Sequence, residues 1–465
     1  MEADHRQKVP TELWERIFAF VCFSPLRNRH QSLKITTHPS IKSRAVIMIA
    51  PMILSHVCSG WREIVIHYPR LWSFIKIQLW AGFPKGGTYL ATTFLERSMP
   101  HPLDLEVSMM ETMWRSEFAT AALEVLKCHF ARSERLVLDS GDWLDPFVLL
   151  PLQELDMTFN NLLSFHGGHG FPPLNDDCEL ETHKPLWRAL RQASKLTSVQ
   201  MQRFYLVDVF PWHQLTTLTI EFIAGEDIEK FLKILDVSKN LHTLILKYFE
   251  YATELPLDAS PRQVEIPSLR TLSICSRVGS GEEFSPIEIP NSILDKLCAS
   301  FVMPSLSNFE FSCESVDSES ACVMSWPVPL LDMLQQSSAT LRRVSLGIDF
   351  DRESINSAEW PPLSVLLSRT PHLTHFQFDA MGTFCDPQGG LKLSKKIIVP
   401  FLSDLRNTSD NVLLPELSHI ALLNVGKLAP DIKKLALSVK ACRKRSSLSK
   451  IGSSVSPLQE FRYSS

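Results

Sequence analysis

Four side chains with metal-binding chemistry, His166, His169, Cys178 and His183, lie close together in the chain. Imidazole nitrogen and thiolate sulfur are the ligands zinc prefers, but the spacing matches no paired Cys/His pattern, and the glycines around them suit a solvated loop. No metal is expected there. The stretch His166-Gly167-Gly168 could offer backbone donors to an oxyanion, yet no Gly-x-Ser-x-Gly accompanies it to supply a nucleophile. Phosphate-cradling Gly-x-x-x-x-Gly-Lys, dinucleotide-binding Gly-x-Gly-x-x-Gly and zinc-binding His-Glu-x-x-His are all missing from the sequence. The expectation is a chain with no catalytic residue and no cofactor, hence not an enzyme. A basic run, Lys433-Lys434 to Lys440 and then Arg443-Lys444-Arg445, is interleaved with Ile432, Leu435, Ala436, Val439 and Cys442. It reads as the solvated face of an amphipathic helix, with a nuclear-import patch as the second reading.

Composition narrows the classes further. A chain of 465 residues that is 45% hydrophobic can bury a large core. Lys plus Arg number 47 against 51 Asp plus Glu, for a net charge of -4, so neither nucleic acid nor an anionic membrane is an expected partner. The polar start shows no secretory signal, and the longest apolar run, residues 45–54, contains Pro51 and is too short to span a bilayer. Ten cysteines without paired spacing fit a reducing compartment, and a cytoplasmic or nuclear location is expected.

Most of the chain must be organised by one recurring pattern: an aliphatic residue, two variable positions, an apolar residue, one variable position and a further apolar residue. It occurs as Leu152-x-x-Leu155-x-Met157, Leu196-x-x-Val199-x-Met201, Leu215-x-x-Leu218-x-Ile220, Leu241-x-x-Leu244-x-Leu246 and Leu269-x-x-Leu272-x-Ile274. It continues as Leu306-x-x-Phe309-x-Phe311, Leu341-x-x-Val344-x-Leu346, Leu373-x-x-Phe376-x-Phe378, Leu417-x-x-Ile420-x-Leu422 and Leu458-x-x-Phe461-x-Tyr463. Leu103-x-Leu105 and Leu136-x-Leu138 are weaker versions. The last two apolar positions alternate as in a short half-buried strand, and stretches such as 228–237 and 293–301 have helical periodicity. Proline two residues before Leu269, Leu306, Leu373 and Leu417 ends a helix and enters a strand where its missing N–H does least harm. One strand and one return helix per unit, stacked side by side, build a parallel sheet lining a solenoid. The body resembles a degenerate leucine-rich repeat array. Only Asn160 stands where such repeats place a ladder asparagine, and residues 160–185 and 312–329 read as long loops. Alternation puts Thr217, Thr219, Thr243, Thr271, Ser273, Arg343, Ser345, His375, Gln377 and His419 on the open sheet face; the target-binding candidates among them are Thr243, Thr271, Ser273, Arg343, Ser345, His375 and Gln377.

The first seventy residues are different. Leu13, Ile17 and Val21 share one helical face behind Pro10-Thr11, and Trp14, Phe18 and Phe20 flank it, an apolar stripe too wide to bury on one side. Val57, Cys58, Trp61, Ile64 and Val65 repeat the theme before Tyr68-Pro69 stops the helix. Pro10, Glu12, Leu13, Ile17 and Phe18, followed by Leu54, Val57-Cys58-x-x-Trp61-Arg62, Ile64 and Pro69-x-Leu71-Trp72, resemble an F-box of the large fungal group. Val9 stands where that family usually has leucine, and residues 24–50 form an insertion where a short turn is usual.

The resemblance implies an α/β protein with a small N-terminal helical F-box-like module (1–75), a connector (76–100) and an irregular leucine-rich-repeat-like solenoid with a parallel sheet (101–465). It implies a substrate receptor of a Skp–cullin–F-box ubiquitin ligase, a component of the ubiquitin conjugation pathway. Pro10, Leu13, Ile17, Phe18, Leu54, Val57, Cys58 and Trp61 would dock on the Skp-type adaptor, which bridges to the cullin, and the repeats would hold an unknown target protein. The alternative is a leucine-rich-repeat interaction scaffold with no ubiquitin-ligase role.

Overall fold

In a computed structural model the described residues are 9–23, 33–38, 41–109, 116–139, 158–168, 185–203, 210–250, 262–278, 289–315, 328–349, 363–381, 397–406, 412–423, 430–449 and 455–463. The chain divides into two compact units, residues 1–211 and 212–465.

The first unit opens with helix α1 (Thr11–Phe23), strands β1 (Leu33–His38) and β2 (Ile41–Ile49), and helices α2 (Ala50–Ser55) and α3 (Ser59–Ile66). A 3-10 turn (Pro69–Trp72) leads to β3 (Phe74–Leu79), α4 (Gly87–Arg97), β4 (Leu103–Met109) and α5 (Glu117–Lys127). Then come β5 (Ser133–Asp139), β6 (Ser164–Gly167), α6 (Pro185–Arg191) and β7 (Ser198–Arg203). The strands lie in the order β2-β1-β3-β4-β5-β6-β7. Among the described residues of this unit β1 and β2 alone pair antiparallel; β1 pairs parallel to β3, and the ladders from β3 to β7 are parallel too.

The second unit contains β8 (Thr217–Ala224), α7 (Ile228–Val237), β9 (Thr243–Glu250), β10 (Val264–Glu265), β11 (Thr271–Val278), α8 (Ile289–Ser300), β12 (Phe301–Val302) and β13 (Asn308–Ser315). It continues through α9 (Val328–Gln336), β14 (Arg343–Asp349), α10 (Leu363–Ser368), β15 (His375–Met381), α11 (Val399–Arg406), β16 (His419–Leu423), α12 (Pro430–Ser449) and β17 (Glu460–Tyr463). Its main sheet runs β8-β9-β11-β13-β14-β15-β16-β17, parallel throughout, and β10 and β12 form a separate small ladder.

The leucine pattern explains this sheet. Leu215, Leu241, Leu269, Leu306, Leu341, Leu373 and Leu417, which lead the units, are all 0% exposed, and the alternating apolar pair that follows each is buried too. Fully burying such a side chain contributes roughly 1.5–3 kcal/mol, so every strand is held mainly by the side it hides. Each strand entry is closed by a shared carbonyl. Thr216 O accepts from the His242 and Thr243 N–H groups, Arg270 O from Ser307 and Asn308, and Thr374 O from Ser418 and His419, all at 2.8–3.0 Å. Asn160 is exposed and leads no asparagine ladder. Buried hydroxyls do that work: Ser238 Oγ donates to Ile234 O (2.8 Å), Ser337 Oγ to Met303 O of the preceding unit (2.8 Å), and Thr370 Oγ1 to Leu367 O (2.9 Å). Ser238 and Thr370 thus add a side-chain bond to a carbonyl near the end of their own helix that also accepts their backbone N–H, and Ser337 ties its helix end to the unit before it.

Several sequence expectations shift. The loop expected at 160–185 contains β6, whose Phe165 is buried behind Leu162, while Leu152, Leu155 and Met157 lie outside the described residues. Gly168 follows because a Cβ there would stand 2.8 Å from Asp139 Cγ. The 24–50 insertion carries β1 and β2: Leu33 and Ile35 bury themselves in register with Ile75 and Ile77, so it extends the sheet. The boundary drawn at 75 falls inside β3, and the 76–100 connector holds the rest of β3 and α4, a strand and helix like those of the repeats. The loop expected at 312–329 is entered by β13 and left by α9.

The basic run also divides. Lys434, Lys440, Lys444 and Arg445 are solvated, but Arg443 is 0% exposed. Its guanidinium donates to Leu413 O, Leu414 O (2.9 Å) and Leu417 O (3.3 Å), holding Leu414 at a φ of 53. Burial lowers the Arg443 pKa to about 10. Among the described residues no helix is long and apolar enough to cross a membrane.

Candidate functional site

Helix α1 begins where Pro10 O accepts from the Leu13 and Trp14 N–H groups (3.0 and 3.3 Å). It carries two apolar stripes. Phe18 and Cys22 are buried and Trp14 half-buried, one turn apart, whereas Leu13 (47% exposed), Ile17 (45%), Phe20 (63%) and Val21 (45%) face out. Burial pushes the Cys22 thiol up to about 12, so it is a neutral packing group. Ile53 (62%) and Val57 (57%), at the end of α2, add to the outward apolar surface.

The inward stripe makes a small aromatic core. The Trp61 ring lies 5.3 Å from Trp14 and 4.9 Å from Phe18, tying α3 to α1. Cys58 caps α3, its Sγ accepting from Trp61 N–H at 3.4 Å, and Arg62 Nε donates to Ser55 O at 3.0 Å, binding α3 to α2. Trp72, 0% exposed, donates to Val65 O (2.8 Å) while its ring packs on Phe94 (4.8 Å) and under the Arg97 guanidinium (4.5 Å). Through Trp72 and the β1–β3 ladder the helices belong to the same packed body as the sheet of the first unit.

The structure thus divides the proposed docking set. Pro10, Leu13, Ile17 and Val57 are exposed; Phe18 and Leu54 are core residues; Cys58 and Trp61 are half-buried and engaged with other helices. Phe18 and Leu54, expected as docking residues, are buried, and Trp61 packs against Trp14 and Phe18. Phe20, Val21 and Ile53 join the outward face. Phe20 and Val21 were visible as part of an over-wide stripe, but only the packing of Trp61 shows which side of that stripe is covered.

The second candidate surface is the open face of the second sheet. Strand register aligns Thr217, Thr243, Thr271, Asn308, Arg343, His375, His419 and Glu460 in one row, and Thr219, Ile245, Ser273, Glu310, Ser345, Gln377, Ala421 and Arg462 in the next. All seven target-binding candidates are in these rows. Asn308, Glu310 and Ile245 are additions that alternation alone predicts once the register is known. Arg343, Glu310 and Arg462 are exposed, Thr219 is buried and the others are half-buried. Lys247 and Glu221 form an ion pair (2.7 Å) one step further along, and Arg462 and Glu460 pair with each other across the two rows.

Among the described residues no three His, Cys, Asp or Glu side chains converge as a metal site. His166 lies on β6, while His169, Cys178 and His183 fall outside the described residues. No protein-family model matches the chain, and no curated protein matches it.

Proposed function

We propose that the chain is the substrate-recognition subunit of a Skp–cullin–F-box ubiquitin ligase: α1 to α3 dock on the Skp-type adaptor, and the open faces of the repeat strands hold a target protein. The observation that carries the reading is the outward apolar face of Leu13, Ile17, Phe20, Val21, Ile53 and Val57. A helical module that spends its aromatic residues on an internal core and still exposes six large apolar side chains has the surface composition of an interface. The F-box-like residues Pro10, Leu13, Ile17, Val57-Cys58-x-x-Trp61-Arg62 and Pro69-x-Leu71-Trp72 name the kind of partner.

In this reading the chain contributes no reacting group. One chain that holds both adaptor and target would bring the target's lysines near a ubiquitin-charged enzyme elsewhere in the complex. Transfer would then gain from proximity and orientation alone. The polar rows of the second unit suit a protein target better than a small molecule, because they offer a broad surface that runs across eight strands.

The test is co-purification of the full chain with a Skp-type adaptor. Leu13→Asp with Ile17→Asp should abolish the complex while circular dichroism and unfolding temperature stay at wild-type values. A wild-type chain that never binds the adaptor, or a double variant that binds as well as wild type, leaves the repeat-scaffold reading in its place.

A further inference from the structure

The strand entries of the first unit open a cleft of about 550 Å³. Phe74, Asp104, Arg135 and Ser164, register neighbours across β3, β4, β5 and β6, line it on the sheet face opposite the buried Ile75, Leu105, Leu136 and Phe165. A β-bulge makes the room. Leu103 pairs with Ser133 and Asp104 with Arg135, so Glu134 has no counterpart on β4, and bulges of this kind re-aim side chains beside binding sites. Glu134 O accepts from the Leu163 N–H (2.8 Å), and Arg135 Nη1 donates to Asp104 Oδ1 (2.8 Å), a pair that consumes one charge of each sign. Two charges remain. Arg70 and Glu134 line the cleft, are exposed, and form no ion pair among the described residues. His101, also in the lining, donates Nδ1–H to Pro102 O (2.9 Å), which leaves Nε2 as the ring's acceptor. Phe74 and Leu163, the latter 38% exposed, supply apolar surface.

We propose that this cleft binds a free α-amino acid with an apolar side chain, its carboxylate on Arg70, its ammonium on Glu134 and its side chain against Phe74 and Leu163. A ligand with one charge of each sign matches the lining, because each unpaired group gains a charge-assisted hydrogen bond and the cleft stays neutral. A singly charged anion would leave Glu134 unmatched, and a singly charged cation would leave Arg70 unmatched. The carboxylates also crowd one another. Burial raises the Asp104 pKa, the Arg135 guanidinium opposes the rise, and the charges of Glu106 and Glu134 add to it. An ammonium beside Glu134 relieves that repulsion, and His101 Nε2 offers it a further acceptor. The volume falls in the range of small-molecule sites.

The test is calorimetric titration of the full chain with L-leucine and L-phenylalanine, run against leucinamide, which lacks the carboxylate, and N-acetyl-L-leucine, which lacks the ammonium. One amino acid per chain should bind, and each analogue about 10–100-fold more weakly, as expected for loss of a hydrogen bond to a charged group. Arg70→Ala should erase the advantage of leucine over leucinamide, and Glu134→Gln its advantage over N-acetyl-L-leucine. Both residues are exposed, so circular dichroism and unfolding temperature should stay at wild-type values. No saturable binding of either amino acid, equal binding of the analogues, or binding that neither substitution weakens overturns the assignment.

Discussion

Helix α1 and helix α7 are made from similar residues and end in opposite situations. In α7, Ile228, Phe231, Leu232, Ile234 and Leu235 are all buried, and the outer side is charged, with Lys230 pairing to Asp227 (3.1 Å) and Glu229 to Lys296 (2.9 Å). In α1, Phe18 and Cys22 are buried, but Leu13, Ile17, Phe20 and Val21 are not. Helix α7 spends its apolar surface on its own unit, save Val237 at 53% exposure, and carries charged side chains on its other side. Helix α1 has one apolar stripe more than its fold consumes. A surplus of that kind exposes apolar area at a cost in solubility, and it is accounted for when a second molecule covers it.

The sharpest way to break this contrast is to mutate the two stripes of α1 separately. Phe18→Ala should destabilise the first unit by about 3–5 kcal/mol, since it empties the space between Trp14 and Trp61. Leu13→Asp should change stability by less than about 0.5 kcal/mol, as expected of an exposed site, yet remove adaptor binding. Chemical denaturation of each variant checks the first pair of values. If Leu13→Asp destabilised as much as Phe18→Ala, the outer stripe would be core, and the distinction between the helices would vanish.

Arg443→Leu tests the opposite end. It removes the guanidinium from the carbonyls of Leu413, Leu414 and Leu417, of which Leu414 O keeps the Leu417 N–H, at a cost of about 2–4 kcal/mol in urea denaturation, because hydrogen bonds to a charged group are the stronger kind. The hydroxyl that links α9 to the preceding unit has a smaller effect: Ser337→Ala removes one of the two donors to Met303 O, which keeps the Leu306 N–H, and should cost about 1 kcal/mol by the same measurement.

The smallest expected change is with pH. The His375 pKa is lowered in the fold, first by desolvation and then by His419 and Arg343, so the unfolded chain binds the proton more readily. Stability from this residue is complete above its ordinary value near 6.5 and is lost as pH falls from there through the lowered folded value. His375→Gln should flatten that part of the stability profile. A profile unchanged by the substitution would show that the neutral His375 ring, stacked on His419, contributes nothing.

Much of this was readable from residue order. The strands from β7 onward, apart from the short β10 and β12, sit on the Leu-x-x-apolar-x-apolar pattern, because a period of two with a buried partner leaves a strong trace in short segments. β6 escaped because Gly167 occupies its last inward position and glycines around a histidine read as loop. β1 and β2 escaped because they fall between two halves of a helical motif, where an insertion invites no strand. The row of Thr243, Thr271, Arg343 and His375 was legible from alternation, but its alignment with His419 and Glu460 depends on register across segments up to 44 residues apart.

By itself the sequence determined the α/β repeat body, its inward leucines, the charge balance and the existence of too much apolar surface near residue 13. Local periodicity and composition suffice for those, since each depends on neighbours within a turn or a strand. Tertiary structure alone decided which side of α1 is covered, that residues 33–38 and 41–49 join the sheet, that Arg443 is buried in a run of solvated cations, and that the His375 and His419 rings stack. Each of those depends on which distant backbone comes to lie beside a side chain, and burial, not residue type, sets whether the same leucine or arginine stabilises the fold or remains available to a partner.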